Sequence, residues 1–370
     1  DIATLASGSV IGQVILLTAI PILTRIYTPE NFGIYAVYVG IASIVSIFTT
    51  GRYEFAIALP DSEKEAEDIL KLIFGTGFLV ATLYLACVVG YLFIANEETP
   101  HYQYFFNNFL FLIPISALIA AVSTGLSYMV QRRKMYKTSS LNNVLQNIGT
   151  VIVNILVGVF ISIKWGLVLG LIAGQITSIL FLFYALKYKF SITQFNFKPL
   201  ITIAKKYINF PKFMLFSDLA AVTSQQLTPI VFSFLFNSFI VGNFSLANRF
   251  LRLPAIILTY YIASVFRNDA LDEIRRIGNC HTIYRYTFKR LFWLSFPVFI
   301  LLAIFAPFFF KLIFGDDWLI AGEMAQIIAI MMIFDFAALP FNSLFYVYNK
   351  QNILMVLQII NTFISIVMLI

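Results

Sequence analysis

From Phe105 to Val130 the chain carries no charged side chain, and Ile69 to Asn96 and Tyr286 to Phe314 are nearly free of them. Each stretch meets or exceeds the roughly 20 apolar residues a helix needs to cross a bilayer. Charged residues make up 12% of the chain and apolar ones 60%, whereas soluble domains carry roughly 25% charged residues. Water is therefore not the main solvent, and the expected class is an all-α integral membrane protein.

Hydropathy and helix breakers together place spans at 2–27, 32–59, 69–95, 105–131, 139–163, 165–187, 212–236, 240–266, 286–314, 319–347 and 352–370. The opening segment reads as the first span and not as a signal peptide, because it lacks a basic flank and a small-residue cleavage site. A start at Asp1 and a stop inside the apolar run ending at Ile370 suggest a fragment, with about eleven of at least twelve spans present. With the amino terminus cytoplasmic, twenty basic residues fall on the inside, among them Arg132, Arg133, Lys134, Lys205, Lys206, Arg275 and Arg276. Only Arg25, Lys164 and Lys311 fall outside. That asymmetry sets the orientation by the positive-inside rule. The net charge of +7 thus sits at span ends and forms no single basic face for nucleic acid.

The basic stretch 188–211 divides the chain into an N-lobe, 1–187, and a C-lobe, 212–370. The lobes share a weak repeat. Pro21-Ile-Leu-Thr-Arg and Phe32-Gly33 return as Pro229-Ile-Val-Phe-Ser and Val241-Gly242, with 208 residues between the two prolines (21 to 229). Tyr136, Gln146 and Thr150 return as Tyr348, Gln358 and Thr362. An even number of helices separates the copies, so two six-helix lobes would be related by an axis along the membrane normal, the plan of parallel-repeat carriers. Pro21 and Pro229 fall late in the first helix of each lobe, where proline either bends the helix for a rocking motion or shapes packing.

A charge at the centre of a lone helix costs about 2.5–3.5 kcal/mol, so charges within spans should face protein or water. Arg25, Arg52 and Glu54 lie near span ends; Asp218, Arg249, Arg252 and Asp335 lie within spans. Arginine binds phosphate bidentately and stays charged, so Arg25, Arg52, Arg249 and Arg252 are candidates for an anionic head group. The other reading makes each a structural ion pair, as in Arg52 with Glu54 or Arg249 with Asp335. Asp218 and Asp335 are weaker candidates for ion coupling. The fifth span carries Asn143, Gln146, Asn147, Thr150 and Asn154 as one polar stripe, the eleventh carries Gln358, Asn361, Thr362 and Ser365, and the seventh includes Gln225. Of these, Gln146, Asn147, Gln225 and Gln358 are the sugar-binding candidates; the stripes serve equally well as glue between helices.

Gly166, Gly170 and Gly174 at intervals of four form the small-residue pattern of close helix packing. Ser62 to Glu65 fits a capping box that opens the third span, which reads the acidic run Glu63 to Asp68 as a helix start and not a metal site. Cys87, Cys280, His101 and His281 show no ligand spacing. No cofactor or metal is expected.

Four stretches, Pro21 to Tyr35, Arg52 to Pro60, Ser245 to Pro254 and Phe314 to Trp318, resemble the polysaccharide-exporter (O-antigen flippase, Wzx-type) branch of the multidrug/oligosaccharidyl-lipid/polysaccharide exporter superfamily. The resemblance implies a two-lobed, MATE-like fold. It also implies a cargo of undecaprenyl-diphosphate-linked oligosaccharide, moved from the inner to the outer leaflet of a bacterial inner membrane, and cationic residues for the diphosphate at Arg25, Arg52, Arg249 and Arg252. Lipid-linked oligosaccharide and membrane lipid are the expected partners, with a glycan polymerase complex a further candidate and nucleic acid excluded. Such a carrier is not an enzyme. Two alternatives stand beside it. A cation-coupled multidrug exporter would suit an arginine-rich cavity poorly, and its branch often has an acid in the first helix, absent here after Asp1. A membrane glycan polymerase or ligase would need a large outer loop, and the outer connections are short.

Overall fold

The computed structural model describes residues 2–94, 106, 108–187, 197–348, 350, 353, 356, 357, 359, 360, 363 and 364. Among them every regular element is a helix, as expected of a backbone that must satisfy its own hydrogen bonds in hydrocarbon. The elements are α1 (Ile2–Ile26), α2 (Pro29–Thr50), α3 (Glu63–Ile94), α4 (Ile113–Arg132), α5 (Tyr136–Phe160) and α6 (Ile163–Leu186). They continue with α7 (Phe197–Lys206), α8 (Leu215–Leu235), α9 (Ser238–Ile277), α10 (His281–Phe314), α11 (Leu319–Ala338) and the short α12 (Ser343–Val347). Seven helices among the described residues are long and apolar enough to cross a membrane.

Several expected boundaries move: the fourth span, expected from residue 105, becomes an α-helix only at Ile113 after a 3-10 segment at Leu110–Leu112, and the tenth, expected to run to 347, ends as α11 at Ala338. The second span was expected to run to residue 59, but α2 ends at Thr50, where Gly51 (φ 55°) and Arg52 (φ 62°) turn left-handed ahead of a 3-10 segment at Tyr53–Ala58. Two such residues in succession cannot continue a right-handed helix. The eighth span was expected to stop near residue 266, but α9 continues to Ile277. The Asn237 side chain caps its start, accepting from the Ile240 N–H at 3.1 Å, and Gly278 (φ 85°) closes it with an N–H donated to the Ile274 carbonyl. At 1.5 Å per residue its 40 residues span about 60 Å, roughly twice the hydrocarbon thickness, so the charged turns from Arg267 onward form a polar extension.

The described chain divides into two compact units, 1–27 with 34–234 and 28–33 with 235–370. That boundary falls after α8, one helix later than the linker 188–211. In the first unit α5 lies between α1 and α6. Gly8 and Gly12 of α1 leave room for Ser140 and Asn147, and Gly170 and Gly174 of α6 leave room for Asn154 and Thr150. Tyr27 is wedged where Gly158 and Gly166 lack side chains, and its hydroxyl donates to the Asn154 carbonyl at 2.5 Å. A core of Tyr53, Ile57, Ile69, Leu70, Ile73, Leu126 and Met129 also takes in Leu200 and Ile203 from α7. The segment after the expected linker start is thus a docked amphipathic helix.

In the second unit the start of α9 crosses residues 28–33 at backbone distance. A Cβ on Gly33 would lie 1.9 Å from the Ser238 carbonyl, and one on Gly242 would lie 1.7 Å from the Pro29 carbonyl. These glycines occupy matching positions in the sequence repeat, and their lack of side chains is what lets the two segments meet backbone to backbone. Phe32 packs edge-on to the buried Trp318 at 5.0 Å. Pro307 lies inside the continuous α10, and the carbonyl of Ala303, left without its helical donor, accepts from Gln326 Nε2 of α11 at 2.7 Å.

Candidate functional site

The left-handed pair after α2 does more than end a helix. It turns the Arg52 side chain back into the first unit, where Nη1 meets Glu54 Oε1 at 3.1 Å and Nε lies 2.9 Å from Asp218 Oδ2 of α8. The second contact is an ion pair without hydrogen-bond alignment. Glu54 is only 1% exposed and Asp218 is 32% exposed, and the second oxygen of Glu54, Oε2, is buried without a hydrogen-bond partner. Arg52 also lies 5.9 Å from the centre of the Phe55 ring, which packs edge-on to Tyr128 of α4. One cation therefore stands between two acids. Of the two sequence readings of Arg52, the ion pair with Glu54 is present, and Asp218 joins it.

The remaining candidates of this unit separate. Arg25 lies exposed in the last turn of α1, where a cation favours the helix dipole, with no acidic partner among the described residues. Asn147 faces Gly12 of α1, and the Gln146 carbonyl faces Gly174 of α6 while accepting from the Thr150 hydroxyl at 3.0 Å. The polar stripe of α5 is thus taken up largely in contacts with α1 and α6. Gln225 is exposed on α8, with Gln226 beside Gly40. Gln358, with Asn361, Thr362 and Ser365, lies outside the described residues.

In the second unit Arg252 Nε donates to Asn248 Oδ1 at 2.8 Å, and Nη2 lies 3.6 Å from Asp335 Oδ2 of α11, both partners being 40% exposed. The expected alternative paired Asp335 with Arg249. The structure pairs it with Arg252, three residues further along α9, which reaches Asp335 in the last turn of α11. Arg249 has no acidic partner among the described residues. Asn248 and Tyr128 went unmarked in the sequence: a lone amide beside an arginine and a tyrosine in an apolar helix carry no pattern.

Charge thus differs between the two clusters, one arginine against two acids in the first and two arginines against one acid in the second. A family profile described as "Polysaccharide biosynthesis protein" matches residues 22–323. The chain belongs to that polysaccharide biosynthesis family. Its fold is shared with solved transporters. A multidrug resistance MATE family transporter of the MOP superfamily, inward-facing, has a TM-score of 0.67 at 14% identity, covering 97% of this chain and 83% of that one. The lipid II flippase MurJ, in an inward closed conformation, has 0.68 at 12% identity, covering 98% and 79%. A MOP superfamily transporter from Pyrococcus furiosus, described by the reversed polarity of its binding pocket, has 0.53 at 14%, covering 97% and 84%. No curated protein matches the chain significantly. The family and fold resemblance drawn from the sequence therefore holds: this is an all-α, MATE-like, multi-pass membrane protein of polysaccharide biosynthesis.

Proposed function

We propose that the protein is a flippase that carries undecaprenyl-diphosphate-linked oligosaccharide, an O-antigen or capsule repeat unit, from the inner to the outer leaflet of a bacterial inner membrane, with its amino terminus cytoplasmic. The observation that carries this reading is Arg249, a guanidinium within α9 that has no acidic partner among the described residues, with the half-exposed Arg252 three residues away. A cation kept in an apolar helix without a neutralising acid suits an anionic ligand, and diphosphate is the anion a membrane protein of polysaccharide synthesis meets. Arg25 is a second such group. Gln146, Asn147, Gln225 and Gln358 are proposed to meet sugar hydroxyls, with Asn147 the most constrained by packing. Asp218 and Asp335, each beside one of the arginines, are the proposed ion-coupling acids. The lobes 1–187 and 212–370, joined by 188–211, are the proposed moving bodies.

Reconstitution into liposomes with a fluorescent sugar on an isoprenyl diphosphate tests the reading. Translocation above protein-free vesicles is expected, and none under any ion gradient would overturn it. Arg249→Glu and Arg252→Glu should each abolish translocation while leaving the folded fraction intact. Unchanged transport in both would remove α9 from the site.

A further inference from the structure

The sequence repeat gives the lobes matching helices that do not end alike. Past Gly33, α2 runs only to Thr50; past Gly242, its counterpart α9 runs to Ile277, roughly twice as far. The helices that follow differ in charge. α3 opens on acids, of which Glu63 holds Arg132 and Arg133 and Glu65 holds Lys206. α10 carries no acidic residue from His281 to Phe314, and its first turns hold Arg285, Lys289 and Arg290. All three are exposed and have no acidic partner among the described residues. Arg290 lies 4.0 Å from the centre of the Tyr286 ring, a contact that steadies a guanidinium and leaves its charge in place. The acids of this hairpin belong to α9 and are gathered elsewhere. Asp269, Asp272 and Glu273 line a cleft of about 450 Å³ with Thr282, Ile283 and Tyr286; Asp272 is paired with Arg275, and Glu273 accepts the Ile283 N–H.

Depth follows from the same helix. Trp293 and Lys311 are separated by about 27 Å of helix at 1.5 Å per residue, close to the roughly 30 Å of a hydrocarbon core. Lys311 is paired with Asp316 at 2.9 Å beyond the far end. Between the two, Leu294, Val298, Leu301, Ile304 and Phe308 are exposed apolar side chains, so this face meets acyl chains. Trp293, 61% exposed, stands at the boundary where tryptophan concentrates. Lys289 and Arg290, one turn before it, stand at the depth of phospholipid phosphates, and Arg285 lies a further turn out.

We propose that this end of α10 is a seat for an anionic glycerophospholipid such as phosphatidylglycerol. Its phosphate meets Lys289 and Arg290, Arg285 adds charge, and an acyl chain lies along Trp293. A zwitterionic phospholipid brings its own cationic group to the same three cations and is disfavoured. Continuity of the basic row with a lipid-facing apolar surface favours a lipid over a soluble anion. The bound lipid ties the α9–α10 hairpin to the membrane surface, on which the extra length of α9 has no counterpart in the other lobe. Nothing in this seat depends on what the protein carries.

The full chain in phosphatidylcholine bilayers is titrated with brominated phosphatidylglycerol or brominated phosphatidylcholine. Quenching of Trp293 is read in each background as the difference made by Trp293→Phe. One cation near an anionic surface is worth about fivefold in affinity, so three together should make phosphatidylglycerol the preferred quencher by about tenfold or more. The triple variant Arg285→Gln, Lys289→Gln, Arg290→Gln should bring that preference to about one. A control triple, Lys134→Gln, Lys137→Gln, Lys205→Gln, removes as many exposed cations from the first unit and should keep it. Equal quenching by the two lipids in the wild type overturns the proposal. Loss of the preference in the control triple overturns it as well, because the effect is then one of net charge and not of a seat. If the α10 triple does not fold, Lys289→Gln alone should lower the preference about fivefold, and no change refutes the seat. Inorganic phosphate at millimolar concentration should leave the preference intact; its abolition would assign the cations to free phosphate and overturn the choice of a lipid.

Discussion

The contact between Gln326 and the proline-freed carbonyl of Ala303 permits a sharp test of how this bundle tolerates a proline inside a helix. Pro307 has no N–H to give the carbonyl four residues earlier, and α11 sits against the gap so tightly that a Cβ on Gly322 would come within 2.5 Å of Pro307 Cα. Gln326 Nε2 fills the vacancy at 2.7 Å and reaches the Ile304 carbonyl at 3.2 Å. Gln326→Met keeps the shape and removes both donors. An unsatisfied buried carbonyl costs about 1–3 kcal/mol, and interhelical hydrogen bonds within membranes average about 0.6 with a maximum near 1.7. Because no water competes for a carbonyl facing an apolar helix, the upper part of the overlap, about 1.5 kcal/mol, is the expected loss, or roughly tenfold in the unfolding equilibrium. The assay is unfolding of the detergent-solubilised protein, followed through the buried Trp318 at the start of α11. Pro307→Ala restores a backbone donor to Ala303, so in that background Gln326→Met should lose less than about 0.5 kcal/mol, with the difference appearing as coupling in the double-mutant cycle. Equal losses in both backgrounds would refute the reasoning.

Gly170→Ala would place a Cβ 1.7 Å from Asn154 Oδ1 and 2.9 Å from the Thr150 carbonyl, and should destabilise by about 1–3 kcal/mol through overpacking; Asn154→Ala should recover part of this in the same unfolding assay. Gly51→Ala forces a side chain onto a φ of 55° within 3.2 Å of the Tyr53 ring, and should lose about 1–2 kcal/mol, read as a lower melting temperature. Glu273, in the polar extension of α9, accepts the Ile283 N–H at 2.9 Å, and that backbone donor at the start of α10 holds its carboxyl below the ordinary carboxylate range. A folded-state pKa below the unfolded one gives stability that is present above the unfolded value and lost as pH falls through the folded one. Hydrogen exchange at Thr282 and Ile283 should therefore quicken below the carboxylate range in the wild type, and already at neutral pH in Glu273→Gln.

What the amino-acid order settles alone is whatever depends on one helix and its solvent. Stretches such as Ile113 to Val130 can only be apolar helices, because length and absence of charge leave a backbone in hydrocarbon no other way to satisfy itself. The α6 glycines announce close packing for the same local reason, and the proline and glycine pairs announce the repeat. Partner choice is a different matter. Whether Asp335 meets Arg249 or Arg252, and whether the α5 stripe turns to sugar or to the glycines of α6, depends on rotation of one helix against another by a fraction of a turn, which no periodicity within either helix records. The left-handed Arg52 shows the limit most clearly: the apolar pattern carries the second span on to residue 59, and only the folded chain shows the turn at Gly51 and Arg52 and the packing of α8 that sets Asp218 beside that arginine and leaves Glu54 with an oxygen unmet.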